Sequence, residues 1–149
     1  MNDFSESKLV SPDSSSSPTL GLQDWVDNKF VIAHNDDVSF ISVFDELSVG
    51  LTKSIIKLLS KKFPYQSTLW DLSQSIFDFK MPEIQLIANY CHEHLVQAHS
   101  FAMYVNNDLA FGEMNQLSAF RDINDSVQTK VFTCKNQALH WLKHSADRT

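Results

Sequence analysis

The chain predicts an α/β fold: a mostly parallel five-stranded sheet that opens with a β-hairpin and carries four helices. Two apolar runs near residue 25 are separated by turn residues only. After them the hydrophobic spacing alternates between the period of a strand and that of a helix as far as the C-terminus. Alternation of this kind builds parallel strands joined by right-handed crossovers.

The elements follow in order. The first strand falls within residues 25–34, around Phe30-Val31-Ile32-Ala33, and the second within 38–44. Asn35-Asp36-Asp37 between them have strong turn chemistry. From Ser48 to Lys62, Leu51, Ile55, Leu58 and Leu59 share one helical face and Lys53, Lys57 and Lys61 the other. Pro64 ends this helix. A short strand covers 68–72, and a helix begins at Pro82, where a missing N–H is harmless. Its apolar stripe is Ile84, Ile87, Ala88, Cys91, Leu95 and Ala98. Residues 100–105, nearly all apolar, suit a strand covered on both faces. Asn106 and Asn107 supply a turn, and Asp108 is the expected N-cap of a helix reaching about residue 120. A last strand at 129–132 leads into a helix through Ala138, Leu139, Trp141 and Leu142. No internal repeat is visible.

A chain of 149 residues with 43% apolar residues accommodates one domain with a full core. Residues 1–24 are rich in Ser, include Pro12 and Pro18, and are expected to form a disordered tail; the domain is read as 25–149. The net charge of −6 is shared evenly between tail and domain, which gives no electrostatic reason to bind nucleic acid or an anionic membrane surface. Cys91 and Cys134 make neither a disulfide framework nor a zinc knuckle. The N-terminus has no signal-peptide pattern and no apolar stretch spans a bilayer, so a cytoplasmic protein without membrane insertion is expected.

The chemistry-bearing constellations are thin. Asn35-Asp36-Asp37, Asp71, Asn106-Asn107-Asp108 and Lys135 follow strands, where open α/β sheets meet their ligands. Acids after early strands and a lysine after the last one suggest a phosphoacceptor receiver, yet a receiver needs a helix between its first two strands. Asp71 is better read as a cap, and Asp36-Asp37 as the hairpin. Cys91 with His94, and His140 with His144, have metal-ligand spacing on helices, but a third ligand is not evident. Imidazoles near a helix C-terminus are explained by its dipole. No metal and no cofactor are expected. Gly112 is expected to allow close packing, or else to leave space for a ligand. Cys134, beginning a helix, is a nucleophile without a fixed base. Lys53, Lys57, Lys61 and Lys62 read as a solvated face. Ile76, Phe77, Phe79 and Met81 in one loop, with Phe111 and Met114 at the start of the next helix, are more apolar than loops require.

Three strings in order, Leu69-Trp70-Asp71-Leu72-Ser73, Asn107-Asp108-Leu109-Ala110-Phe111-Gly112, and Val131-Phe132 followed by Gln137-Ala138-Leu139-His140-Trp141-Leu142, resemble the STAS superfamily, specifically its SpoIIAA-like branch of small bacterial proteins. The resemblance spans residues 30–142. It implies a β-α superhelix that binds a partner protein or a small ligand and is usually no enzyme. It also implies a signal-transduction role like that of anti-sigma antagonists, which carry a phosphorylatable serine at the start of the second helix. The matching stretch here is Asp78-Phe79-Lys80-Met81, without that hydroxyl.

The expected function is therefore a non-enzymatic interaction module that binds a partner protein through Phe77, Asp78, Phe79, Lys80, Met81, Asp108, Phe111, Gly112 and Met114. A binder of a small apolar or lipid-like ligand is the alternative. A small hydrolase or transferase acting through Asp71, Asp108 or Cys134 is the third reading, and a homodimer is left open.

Overall fold

Residues of opposite parity along the central strands bury against different helices, and this alternation divides the core in two. The computed structural model describes residues 23–26, 29–35, 37–63, 66–95, 100–124 and 127–147. Its elements are β1 (Gln23–Val26), β2 (Phe30–Asn35), β3 (Val38–Glu46), α1 (Val49–Lys62), β4 (Ser67–Ile76), α2 (Met81–His94), β5 (Ser100–Tyr104), α3 (Asp108–Asn124), β6 (Gln128–Phe132) and α4 (Lys135–Asp147). The strands lie side by side in chain order. β1, β2 and β3 pair antiparallel, and β3 to β6 pair parallel.

Because each right-handed crossover steps to the next strand in the same direction, α1, α2 and α3 must all fall on one face of the sheet. There Ile55, Ile56 and Leu59 of α1, Ile84, Ile87 and Cys91 of α2, and Met114 and Leu117 of α3 bury against Ile41, Val43, Trp70, Phe101, Met103 and Val131. The last helix has no further strand to reach. It folds onto the opposite face, where Ala138 and Leu142 cover Leu69, Ala102 and Phe132, the neighbours of the residues facing the other layer. Both faces of β4 and β5 are thus covered, which explains the unbroken apolar run of β5 and the adjacent Leu69 and Trp70 of β4.

Most of the predicted plan is present: the mostly parallel sheet, the opening hairpin and the four helices. The sheet has six strands, however, not five. The stretch read as one strand at 25–34 is two: β1 pairs with β2 through Trp25 opposite Ile32 and Val26 opposite Val31. Asp27-Asn28, residue types favoured in turns, mark the break in the sequence. Gln23 and Asp24, assigned to the tail, belong to β1; residues 1–22 lie outside the described residues, as do Pro64 and Ala98. β4 runs four residues beyond Leu72, so Ile76 ends a strand and is not in a loop. α3 continues to Asn124, and Arg121 in its last turn is buried with its guanidinium 4.7 Å from the Phe101 ring centre.

Local capping sets the helix starts. Ser48 Oγ accepts the Leu51 N–H at 3.0 Å, while Lys61 and Lys62 sit favourably in the last turn of α1. Asn107, not Asp108, caps α3: its Oδ1 accepts the Ala110 N–H at 2.8 Å. α2 begins one residue before Pro82. Lys80 has no acceptor to offer there, but Glu83 Oε1 reaches back to its backbone N–H at 2.8 Å.

Candidate functional site

The carboxyl end of the parallel sheet is asymmetric, because β4 outruns β5. β5 pairs with β4 only as far as Tyr104 opposite Asp71, while β3 accompanies β4 to Glu46 opposite Ile76. Ser75 Oγ donates to the Asp45 carbonyl at 2.9 Å and the Leu47 N–H to the Ile76 carbonyl at 2.9 Å, which pins this projecting pair. Asp45 adopts φ 66°, in the left-handed region that Asp tolerates better than most residues.

From Ile76 the chain turns back toward α2. Phe77 and Phe79 point inward, their rings stacked 5.4 Å apart, and both belong to the core, as does Met114. Their backbone is held from a distant part of the sequence. Glu113, buried to 7% exposure on α3, accepts the Phe79 N–H through Oε1 at 2.8 Å. One carboxylate therefore joins residues 77–80 to α3 and makes the beginnings of α2 and α3 one surface. Burial raises the Glu113 carboxyl above its ordinary value, since a partly dry site penalises the ionised form. The Phe79 N–H works against this by favouring the charge, whereas Asp78, hydrogen-bonded and like-charged, pushes the value further up. Asp78 is also paired with Lys80 at 3.2 Å, but both side chains are largely exposed and the pair contributes little to stability.

The nine residues expected to form the site thus divide. Phe77, Phe79 and Met114 are buried, Phe111 is half-buried against the core, and Asp78, Lys80, Met81, Asp108 and Gly112 are exposed. Around these two segments Ile76 (71% exposed), Leu109 (63%) and Met81 (44%) face solvent, as do Leu86 (52%) on α2 and Phe44 (38%) on β3. Leu109 and Glu113 are additions to the residues expected. Glu113 was legible in one respect, since it lies three residues after Ala110 and four before Leu117, on the inner face of α3.

Gly112 does not serve close packing. A Cβ there would meet nothing within 4 Å. Gly112→Ala is accordingly expected to raise stability by about 0.5–1 kcal/mol, read as a higher urea midpoint at unchanged slope.

Asp71 Oδ1 accepts both the backbone N–H and the hydroxyl of Ser73, at 3.0 and 2.6 Å, and Oδ2 pairs with Lys135 at 3.3 Å. Asp71 thus lies within β4, which runs on to Ile76, and does not end the strand as expected; it bonds Ser73 two residues on and tethers the start of α4. Cys91 is buried and the His94 ring packs on Tyr90 at 4.2 Å, while His140 and His144 meet edge to face at 4.1 Å. Among the described residues no three His, Cys, Asp or Glu side chains gather as a metal site would need. Cys134 is exposed and precedes α4. Lys57, Lys61 and Lys62 are solvated, and Lys53 lies 5.2 Å from the Tyr90 ring centre.

Beneath α1 to α3 a cavity of about 20 Å³, bordered by Thr52, Trp70, Phe101 and Leu117, has room for little more than one water-sized occupant. Pockets that enclose drug-sized ligands are typically about 300–1,000 Å³. A shallow groove between α2 and α3, about 210 Å³, is lined by Gln85, Ala88, Asn89 and Phe120. Among the described residues no helix is long and apolar enough to cross a membrane.

An antiparallel opening followed by successive crossovers in one direction, with the final helix on the reverse face, defines a SpoIIAA-like fold. The chain is similar in structure to a crystal structure of an uncharacterised protein of the DUF3478 family with a SpoIIAA-like fold, from Shewanella loihica PV-4. The TM-score is 0.53 and the identity 17%, over 76% of this chain and 91% of that one. The likeness bears out the expected fold. Comparisons with protein-family models and with curated protein sequences find no match.

Proposed function

We propose that this protein is a non-enzymatic interaction module that docks a partner protein on the rim formed by residues 76–82 and 107–113. The observation that carries the reading is the placement of Ile76, Met81 and Leu109 in solvent, on a rim that the Glu113–Phe79 hydrogen bond makes continuous. Large apolar side chains exposed together at the carboxyl end of a parallel sheet serve association better than they serve solubility. The fold resembles that of signalling modules switched by a phosphorylated serine. Here Asp78-Phe79-Lys80-Met81 offers no hydroxyl at that point, and we read the surface as permanently competent. The small interior cavity gives the alternative of an apolar ligand less support. We place the interaction in the cytoplasm, where thiols such as that of the exposed Cys134 remain reduced.

The test is capture from lysate with wild type, the double variant Met81→Glu/Leu109→Glu, and Lys61→Glu at the opposite end of the sheet. Exposed anchors of a docking site are each worth about 1–2 kcal/mol, so the double variant should retain roughly a tenth or less of the captured protein. Lys61→Glu should retain all of it. Equal capture by all three would overturn the proposal, provided circular dichroism shows each variant folded.

A further inference from the structure

We infer that the segment this rim accepts is a cationic amphipathic one: apolar side chains flanked by Lys or Arg, presented by a partner protein. The inference rests on the docking reading above and adds the chemistry of the partner. Each of the three apolar groups of the rim has a carboxylate beside it. Glu46 stands opposite Ile76 in the sheet register, Asp108 precedes Leu109 at the start of α3, and Asp78 lies just before α2, which Met81 begins. Asp45 adds a fourth exposed carboxylate at the end of β3. Of the cations at this end, Lys80 is paired with Asp78 and Lys135 with Asp71, and Lys29 lies at its β2 edge, where its carbonyl accepts the Phe44 N–H at 2.8 Å. The exposed lysines of α1 are at the far end: α1 starts three residues after Glu46 and runs away from the rim, so Lys57, Lys61 and Lys62 approach the opposite edge of the sheet.

This separation of charge selects the partner. An acidic or phosphorylated segment, a nucleic acid or an anionic lipid surface would meet Asp45, Glu46 and Asp108, with Asp78 offset by Lys80, and be repelled. A cationic amphipathic segment satisfies both parts of the surface, with its apolar side chains on Ile76, Met81 and Leu109 and its charges on Glu46, Asp78 and Asp108.

The experiment is an NMR titration of the ¹⁵N-labelled full chain with a Leu/Lys amphipathic peptide about five helical turns long, and with its Leu/Glu counterpart. Expected are shifts of the amides of residues 45–47, 76–82 and 107–113 with the Leu/Lys peptide only. Its affinity should fall about tenfold between low and physiological salt, as screened charges require. Asp45→Lys/Glu46→Lys should lose the preference. If both peptides shift the rim alike, the docking surface stands and the charge selection is overturned. If neither peptide moves the rim, the docking reading falls as well. Shifts scattered over the whole acidic surface would also overturn the inference.

Discussion

Truncating Phe101 to alanine is expected to destabilise the fold by about 3–5 kcal/mol, the largest loss for any single side chain considered. Phe101 lies at the centre of the sheet, nearly fully buried, with the Trp70 ring stacked 5.5 Å away and the Arg121 guanidinium over its face at 4.7 Å. Three contributions vanish together: the transfer of a large apolar ring, its aromatic pairing, and a cation–π contact in a dry setting. The ring also borders the existing cavity, so its removal joins a new void to an old one and leaves Arg121 over empty space. The measurement is a urea unfolding curve, whose midpoint should drop while the slope holds. A loss under about 1 kcal/mol would mean that the helices of this layer collapse freely onto the sheet.

Replacing Glu113 has the next largest expected effect. Glu113→Ala leaves the Phe79 N–H without its acceptor in a buried position, a loss of about 1.5–3 kcal/mol for a hydrogen bond to a charged group. Glu113→Gln keeps an acceptor oxygen and removes the ionisable group, so it separates geometry from charge. The pH dependence follows from the raised carboxyl. Below the ordinary carboxylate value of 4.5 the group is protonated whether folded or not, and its burial is not penalised. As pH rises the unfolded chain ionises first, so the stability specific to protonated Glu113 is lost between 4.5 and the raised folded-state value. Glu113→Gln should therefore gain on wild type in going from pH 4 to pH 7. A difference between the two that is constant with pH, or that moves the other way, would show that Phe79 and Lys80 outweigh burial at this carboxylate.

The sequence made the core layers legible wherever a stripe or an alternation was long enough to be counted. Ile55 and Leu59 on α1, and Ile84, Ile87, Ala88, Cys91 and Leu95 in and just after α2, were expected inside and are buried. β1 was not legible as a separate strand. Gln23-Asp24-Trp25-Val26 shows no alternation long enough to count, and its assignment comes from backbone pairing with β2, which any sequence can make. The rim was half legible. Its location after β4 and after β5 followed from the parallel topology, but the link 77–80 has no period, so nothing local shows that Phe77 and Phe79 turn inward while Ile76 at the end of β4 and Met81 at the start of α2 face solvent. That choice is made by Glu113, 34 residues away from the amide it holds. The Asp71–Lys135 tie, across 64 residues, is invisible in the sequence for the same reason. Long-range side-chain contacts of this kind belong to the assembled fold, and pattern along the chain carries no record of them.

We propose that the exposed carboxylates around exposed apolar groups, on a rim held by one buried carboxylate, serve recognition. The most direct measurement is amide hydrogen exchange of the chain alone and in complex with the protein it captures. Added protection confined to residues 76–82 and 107–113, with α4 unchanged, is the predicted result. Protection on α4 and the β2–β3 side, with the rim exchanging as in the free chain, would contradict it.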